Sequence, residues 1–210
     1  YDVCIELSNF CNMAALHPRC PVSKMQNDPH ILPARIVNDV LQTLSRHDYS
    51  GRIAFHTYNE PLMDPRLFEF VRTARRSCPQ SRIHICTNGY CLTQDLVDEL
   101  VQAGVTSFHI SAYSESDLHR FSALAIPVES AVKLMKLDDR LDFYDTDEKS
   151  CDKPCYASLA QVIITSQGMI SLCCLDWKRQ YCFGDLNAQS FEEAMADRQL
   201  RQAYKRLSHG

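Results

Sequence analysis

Short apolar strands alternate with amphipathic helices along the first half of the chain. Runs such as VCIEL and SFHISAY are typical of buried strands, whereas ARIVNDVLQTLSRH repeats its apolar residues at helical spacing. Strands that are connected through helices pair in parallel, with right-handed crossovers. The alternation therefore predicts an α/β fold, either an open sheet or a full or partial (β/α) barrel, with its site at the carboxyl ends of the strands.

The alternation becomes weaker after the fourth strand. Residues 114–150 offer two helices but no clear fifth strand, so the sequence leaves the closure of the sheet open. One earlier helix has well-defined ends, with a cap at Thr93 and a stop at Gly104. The predicted strands are 3–7, 52–58, 82–89 and 107–113, and the predicted helices are 34–47, 66–77, 93–104, 114–125 and 128–135.

The character of the chain changes near Cys155. Residues 159–177 are predicted to form two strands around a turn at Gln167 and Gly168, and residues 189–207 a charged amphipathic helix. We therefore divide the chain into a core at 1–150 and a small β-hairpin plus helix subdomain at 151–210.

Composition limits the classes of partner. Of the 210 residues, 45% are hydrophobic and 23% are charged, which is typical of a globular protein. A net charge of -4 gives no basic footprint for nucleic acid or for an anionic membrane. No apolar run reaches the roughly 18 residues of a membrane span, and the first residues do not resemble a signal peptide. We expect a cytoplasmic protein that acts on small molecules or peptides.

The cysteine content indicates metal or redox chemistry. There are 11 cysteines, an odd number that does not fit a fully paired disulfide framework. In a cytosolic chain, clustered cysteines point to metal binding. Cys78, Cys86 and Cys91 are interpreted as structural, because they fall in a predicted helix, a predicted strand and the following loop.

The loop after the first strand carries the strongest chemical signal. Its sequence FCNMAALHPRCP holds Cys11, His17 and Cys20, with a proline directly after Cys20. Thiolates that converge from a loop are the usual ligands of iron–sulfur clusters, and imidazole can replace a thiolate.

This loop resembles the signature of the radical S-adenosylmethionine (SAM) family, in which three cysteines are spaced CxxxCxxC. Cys11 aligns with the first cysteine and Cys20 with the last, but the span is longer and His17 stands at the middle position. The third ligand has three candidates: His17, Cys4 reaching in from the strand, or a residue missing from the loop. The resemblance implies a partial barrel of the radical SAM type, whose three ligands hold a 4Fe-4S cluster with one iron left to bind SAM.

Three further segments match the family in order, each at the end of a predicted strand. HTYNEPL resembles the region that binds the SAM amino group, ICTNG a second recurring segment, and HISAY a strand end with a polar residue near SAM. The resemblance covers about residues 1 to 125. The SAM-binding residues that it implies are Tyr58, Asn59, Glu60, Asn88 and Ser111.

The tail is similar to the auxiliary-cluster domains called SPASM or twitch. Cys155 and Cys173 lie on either side of the first hairpin strand, where both thiolates can reach one side, and Cys174 follows directly. The resemblance implies that these three cysteines bind an auxiliary cluster, with Cys151 and Cys182 as candidates for a further ligand. It also implies a catalytic thiol at Cys182 or Cys151.

In this family, SAM cleavage yields a 5′-deoxyadenosyl radical that abstracts hydrogen from a substrate carbon. An auxiliary cluster that accepts an electron gives a dehydrogenase, and a thiol that returns hydrogen gives an epimerase. The tail resembles radical SAM enzymes of aminoglycoside and aminocyclitol biosynthesis, such as the neomycin epimerase and the butirosin-pathway dehydrogenase. The implied function is epimerisation or oxidation of such a substrate, with a flavodoxin or ferredoxin as electron donor.

Two alternatives stay open. Peptide maturation enzymes share the tail architecture, so a ribosomal peptide is a second candidate substrate. A non-catalytic zinc module that uses Cys11, His17 and Cys20 is a candidate of another class, because zinc accepts mixed cysteine and histidine ligands.

Overall fold

A single sheet organises the protein. The computed structural model describes residues 1–25, 28–137 and 155–208, and within these ranges eight strands form one sheet in the order β5-β4-β3-β2-β1-β6-β7-β8. The strands are β1 Asp2–Ile5, β2 Arg52–Ala54, β3 Arg82–Thr87, β4 Ser107–Ala112, β5 Ala131–Leu134, β6 Gln161–Ile164, β7 Met169–Ser171 and β8 Cys182–Asp185. The helices are α1 Val22–Met25, α2 Ala34–Arg46, α3 Leu67–Ser77, α4 Gln94–Ala103, α5 Glu115–Ser122, α6 Tyr156–Leu159, α7 Phe191–Ala196 and α8 Arg198–Leu207.

The sheet is an open, partial barrel, as predicted. Strands β1 to β5 and β6 pair in parallel, whereas β7 and β8 are added in antiparallel pairs. The predicted hairpin is formed by β6 and β7, with Gly168 at a positive φ of 81° in its turn. Because β6 also pairs with β1, the hairpin continues the sheet of the core.

Two sequence predictions were wrong in detail. The helix predicted at 128–135 is replaced by strand β5, because this short run pairs with the edge of β4 and Ser130 accepts a hydrogen bond from the Phe108 N–H at 2.9 Å. The helix predicted at 189–207 is two helices, since the Asp197 carboxylate caps a new start by accepting from the amides of Gln199 and Leu200. Strand β8 was not predicted, and residues 138–150 lie outside the described residues.

The two faces of the sheet differ in chemistry. Outward residues such as Ile83 and Ile85 pack with helices α2 to α4 in the main hydrophobic core. The alternate residues of the same strand, His84 and Cys86, face the opposite side, because successive side chains of a strand point to opposite faces. The polar inner face therefore lies under the site. In the described ranges, no helix is both long and apolar enough to cross a membrane.

A buried ion pair joins the core to the C-terminal region. Glu6 follows β1 and is 0% exposed, and its carboxylate accepts the backbone N–H of Tyr58 at 3.0 Å and that of Ser166 at 2.8 Å. The guanidinium of Arg179 donates to both carboxylate oxygens, at 2.9 and 2.8 Å, and lies 5.4 Å from the centre of the Tyr58 ring. The Tyr58 hydroxyl in turn donates to the carbonyl of Cys174 at 2.6 Å. Four segments that are distant in sequence thus meet at one carboxylate.

We expect the Arg179→Met variant to lose about 3 kcal/mol of unfolding free energy, because it leaves the Glu6 carboxylate buried without its counterion. The double variant Glu6→Gln/Arg179→Met should recover much of this loss, since no buried charge remains. Anaerobic urea unfolding of the four proteins of this cycle measures the coupling. Lys178→Met is the matched control, and an equal loss there would contradict the ion-pair account.

Candidate functional site

A cavity of about 250 Å³ opens at the carboxyl ends of β2, β3 and β4, where the sequence placed the site. Its wall combines the cysteine-bearing loop with residues that follow each strand. The lining residues are Cys11, Met13, His17, Cys20, Val22, His56, Thr57, Tyr58, Asn59, Glu60, Cys86, Thr87, Asn88, His109, Ser111, Tyr113 and Met135.

Successive tight turns bring the three candidate cluster ligands to this cavity. Backbone hydrogen bonds from His17 to Met13 and from Cys20 to His17 fold the loop back on itself. Cys11 packs against the small cluster that contains Cys20, and the Asn88 amide donates to the Cys11 sulfur at 3.8 Å. His17 is 4% exposed and its ring lies edge-on to Tyr113. Cys4 packs elsewhere, against Ala54 and Ile163 on the inner face.

The donor set fits an iron–sulfur cluster better than a single ion. In the described ranges, no three His, Cys, Asp or Glu side chains are grouped closely enough to hold one metal ion. A cluster is larger, and its protein ligands bond to separate irons, so two thiols and an imidazole around a shared cavity match three of its irons. Burial raises the pKa of Cys11 to about 11, a cost that bonding of the thiolate to a cationic iron would offset.

The segment Tyr58–Glu60 is held rigidly beside the loop. The Asn59 side chain accepts from the Thr57 N–H at 3.0 Å and donates to the Phe55 carbonyl at 3.3 Å. The Glu60 N–H donates to the Phe10 carbonyl, next to Cys11, at 2.8 Å. These bonds fix the position of the strand end relative to the cysteine loop.

Glu60 connects the segments that follow β2 and β3 through hydrogen bonds. Its carboxylate is 3% exposed and accepts the Thr87 hydroxyl at 2.7 Å, the Asn88 N–H at 2.8 Å and the Leu62 N–H at 3.2 Å. Burial raises the pKa of this carboxyl group, against the effect of those hydrogen bonds. The Asn88 side chain also donates to the Asn12 amide oxygen at 2.7 Å. Ser111, in β4, also lines the cavity, so all five predicted SAM-binding residues reach the same cavity.

Sequence reasoning missed three residues of the inner face that also line the cavity: His56, Cys86 and His109. Cys86 was interpreted as structural, yet it stands opposite His109 in the β3–β4 register. Burial raises the pKa of Cys86 to about 12 and lowers that of His56 to about 3. The signal that could have identified them is the alternation of side chains along each strand, which places these residues on the face opposite the apolar core.

The C-terminal cysteines separate into different environments. Cys155 and Cys173 converge on Ser158, which lies 3.5 Å from the Cys155 sulfur and also hydrogen-bonds to Cys173. A hydrogen bond from Cys174, together with the Leu175 N–H at 3.3 Å, lowers the pKa of Cys173 to about 6, so its thiolate is favoured. These two cysteines thus share one hydrogen-bonding partner, as expected of side chains that could bind one metal group.

Cys174 and Cys182 have surroundings that differ from those of Cys155 and Cys173. The hydrogen bond to Cys173, with burial, raises the pKa of Cys174, whose side chain packs against the Cys4 cluster on the inner face. Cys182 begins β8 opposite Ser171, and burial raises its pKa. Cys151 lies outside the described residues.

Comparisons with known proteins agree with this arrangement. The family model of the radical SAM superfamily matches residues 5–137, and that of the SPASM iron–sulfur cluster-binding domain matches residues 155–209. The S-adenosyl-L-methionine-dependent 2-deoxy-scyllo-inosamine dehydrogenase of Niallia circulans is 24% identical over 217 residues, which cover 98% of this chain and 86% of that protein.

Solved structures share the fold. BtrN in complex with AdoMet and 2-DOIA superposes with a TM-score of 0.81 at 22% identity, over 100% of this chain and 87% of BtrN. Native anSMEcpe with bound AdoMet superposes with a TM-score of 0.66 at 12% identity, over 96% of this chain and 82% of that one. The resemblance inferred from the sequence is confirmed: the chain belongs to the radical SAM superfamily and is an enzyme that uses S-adenosylmethionine and 4Fe-4S clusters.

Proposed function

We propose that this enzyme oxidises a hydroxyl group of an aminocyclitol, as a radical SAM dehydrogenase. The observation that carries the proposal is that one side chain, Tyr58, contacts both the cavity and the region of the late cysteines. Tyr58 lines the cavity, and its hydroxyl binds the carbonyl of Cys174, next to the Cys155–Cys173 pair. The Tyr58 side chain therefore connects the cavity wall to the backbone beside the second cysteine site.

The residues around the cavity take the following roles in this proposal. Cys11, His17 and Cys20 hold the first cluster, and Tyr58, Asn59 and Glu60 bind the SAM amino group, with Asn88 and Ser111 contacting the rest of SAM. With the reduced cluster and SAM in place, reductive cleavage supplies the 5′-deoxyadenosyl radical that abstracts hydrogen. A flavodoxin or ferredoxin is the proposed electron donor.

The second site favours oxidation over epimerisation. Cys173, with its lowered pKa, and Cys155 are suited to bind an auxiliary cluster, with Cys174 as a further candidate ligand. An epimerase needs a thiol that returns hydrogen to the substrate. Of the two predicted catalytic thiols, Cys182 does not line the cavity and Cys151 stays a prediction, so Cys86 is a cavity thiol available to the epimerase alternative.

The cavity wall supports a small, oxygen-rich substrate. Hydroxyl, amide and imidazole groups line it on three strand ends, and such groups suit hydrogen bonding to the several oxygens of a cyclitol ring. The similarity to a 2-deoxy-scyllo-inosamine dehydrogenase supports the same class, at 24% identity.

The test is anaerobic incubation of the reconstituted enzyme with SAM, a strong reductant and 2-deoxy-scyllo-inosamine. We expect a product that has lost two hydrogen atoms, together with 5′-deoxyadenosine, by liquid chromatography and mass spectrometry. A product of unchanged mass but altered stereochemistry would indicate an epimerase. Turnover of candidate peptides without turnover of any aminocyclitol would favour peptide maturation.

Removal of either first-loop ligand should abolish 5′-deoxyadenosine formation. We expect Cys11→Ala and His17→Ala to lose it by about a hundredfold or more, because the cluster then lacks one of three ligands. Iron content and absorption near 400 nm report cluster loss independently of activity. His47→Ala, at the exposed end of α2, is the matched control. Full activity of His17→Ala would remove this histidine from the ligand set.

Variants of the late cysteines distinguish oxidation from epimerisation. We expect Cys173→Ala to continue forming 5′-deoxyadenosine while oxidised product falls at least about tenfold, because the proposed electron acceptor loses a ligand. Cys182→Ala should retain product formation. The reverse pattern, with product lost only in Cys182→Ala, would support a hydrogen-returning thiol instead.

A further inference from the structure

The His56 ring has two edges in different surroundings. Its Nδ1 is buried and has no hydrogen-bond partner among the described residues. The ring stands edge-on to that of His84, with centroids 6.4 Å apart and an interplanar angle of 69°. The ring also lines the cavity, so Nε2 is the nitrogen that a bound molecule can reach.

The histidine is uncharged under working conditions. Burial lowers its pKa to about 3, and the nearby charge of Arg52 and the rings of His84 and His109 act in the same direction. A neutral imidazole carries one proton, which resides on one of its two nitrogens. An N–H buried without an acceptor is rarer in proteins than an unpaired acceptor atom. The proton therefore belongs on Nε2, where it faces the cavity.

We propose that His56 is a neutral hydrogen-bond donor that binds an oxygen of the substrate through its Nε2–H. This inference rests on the proposed function and names a contact within it. A charged imidazolium would repel the ammonium group of an aminocyclitol, whereas the neutral ring contributes a donor without that repulsion. Because Nε2 already holds its proton, His56 orients the oxygen and does not act as a base.

The position of His56 explains why orientation matters. The residue lies two positions before Tyr58, and Ser111 and His109 line the same cavity. A donor that fixes one oxygen restricts which carbon–hydrogen bond is presented for abstraction. A displacement of about 1 Å at such a position commonly costs about a hundredfold in rate.

Two substitutions, each of which mimics one ring nitrogen, test the assignment of the proton to Nε2. The side-chain amide nitrogen of Gln can occupy the place of Nε2, whereas that of Asn reaches only the place of Nδ1. We expect His56→Gln to keep kcat/KM for 2-deoxy-scyllo-inosamine within several-fold, and His56→Asn to lose about tenfold or more, with less product per 5′-deoxyadenosine. His47→Gln, at the exposed end of α2, is the control and should behave as wild type.

Nitrogen-15 NMR of histidine-labelled, oxidised holoenzyme provides a readout besides activity. The His56 signals, assigned by their loss in His56→Gln, should show the Nε2–H tautomer without titration between about pH 5.5 and 8.5. An Nδ1–H tautomer, or equal loss in the Gln and Asn variants, would overturn the inference. If the proposed function is wrong, the wild-type enzyme will not oxidise the aminocyclitol. If only this inference is wrong, the wild type will be active, and the variants or the observed tautomer will differ from the expectation.

Discussion

The structure depends on one buried carboxylate. Glu6 is inaccessible to solvent and is bonded by two backbone amides and by Arg179, so its charge is compensated within the protein. An unpaired charge at such a depth would be strongly unfavourable, and Glu6 and its three partners must therefore assemble together. Arg179 adopts a left-handed backbone conformation, with φ of 57°, whose cost this pairing offsets. The loop that follows Cys173 is thereby held against the core.

This junction determines how the two cysteine sites are related. Tyr58 contributes its backbone to Glu6, its ring to Arg179 and its hydroxyl to the Cys174 carbonyl. The same residue lines the cavity beside the first cysteine loop. The C-terminal region is thus an extension of the sheet, through the β1–β6 pairing, and the backbone at Cys174 is bonded to a residue of the cavity wall. Such a fixed arrangement suits an enzyme in which an electron leaves the substrate after hydrogen abstraction.

The sequence predicted most of the fold because its signals were local. The four strand–helix units, the hairpin at Gly168 and the cap at Thr93 depend on nearby residues, and the structure contains each of them. Strand β5 was mistaken for a helix because its four residues are a strand only through pairing with β4. The break at Asp197 was missed because a capping carboxylate inside a charged helix resembles any other surface charge.

The difference between local and long-range signals also explains which site residues were predicted. The cysteine loop and the strand-end motifs were recognised because they are contiguous in sequence and resemble a family. His56, Cys86 and His109 were missed because their importance comes from the inner face that three separate strands share. The pairing of Glu6 with Arg179 spans 173 positions, so no local pattern indicates it. Long-range polar contacts were thus the part of the site that the sequence did not reveal.

The central claim is that hydrogen abstraction in the cavity is coupled to oxidation of the same substrate molecule. The most direct measurement uses 2-deoxy-scyllo-inosamine that carries deuterium on its hydroxyl-bearing carbons, with both products quantified by mass spectrometry. The account predicts deuterium in 5′-deoxyadenosine and an equimolar yield of the oxidised aminocyclitol. Formation of unlabelled 5′-deoxyadenosine, with the aminocyclitol recovered unchanged, would contradict it.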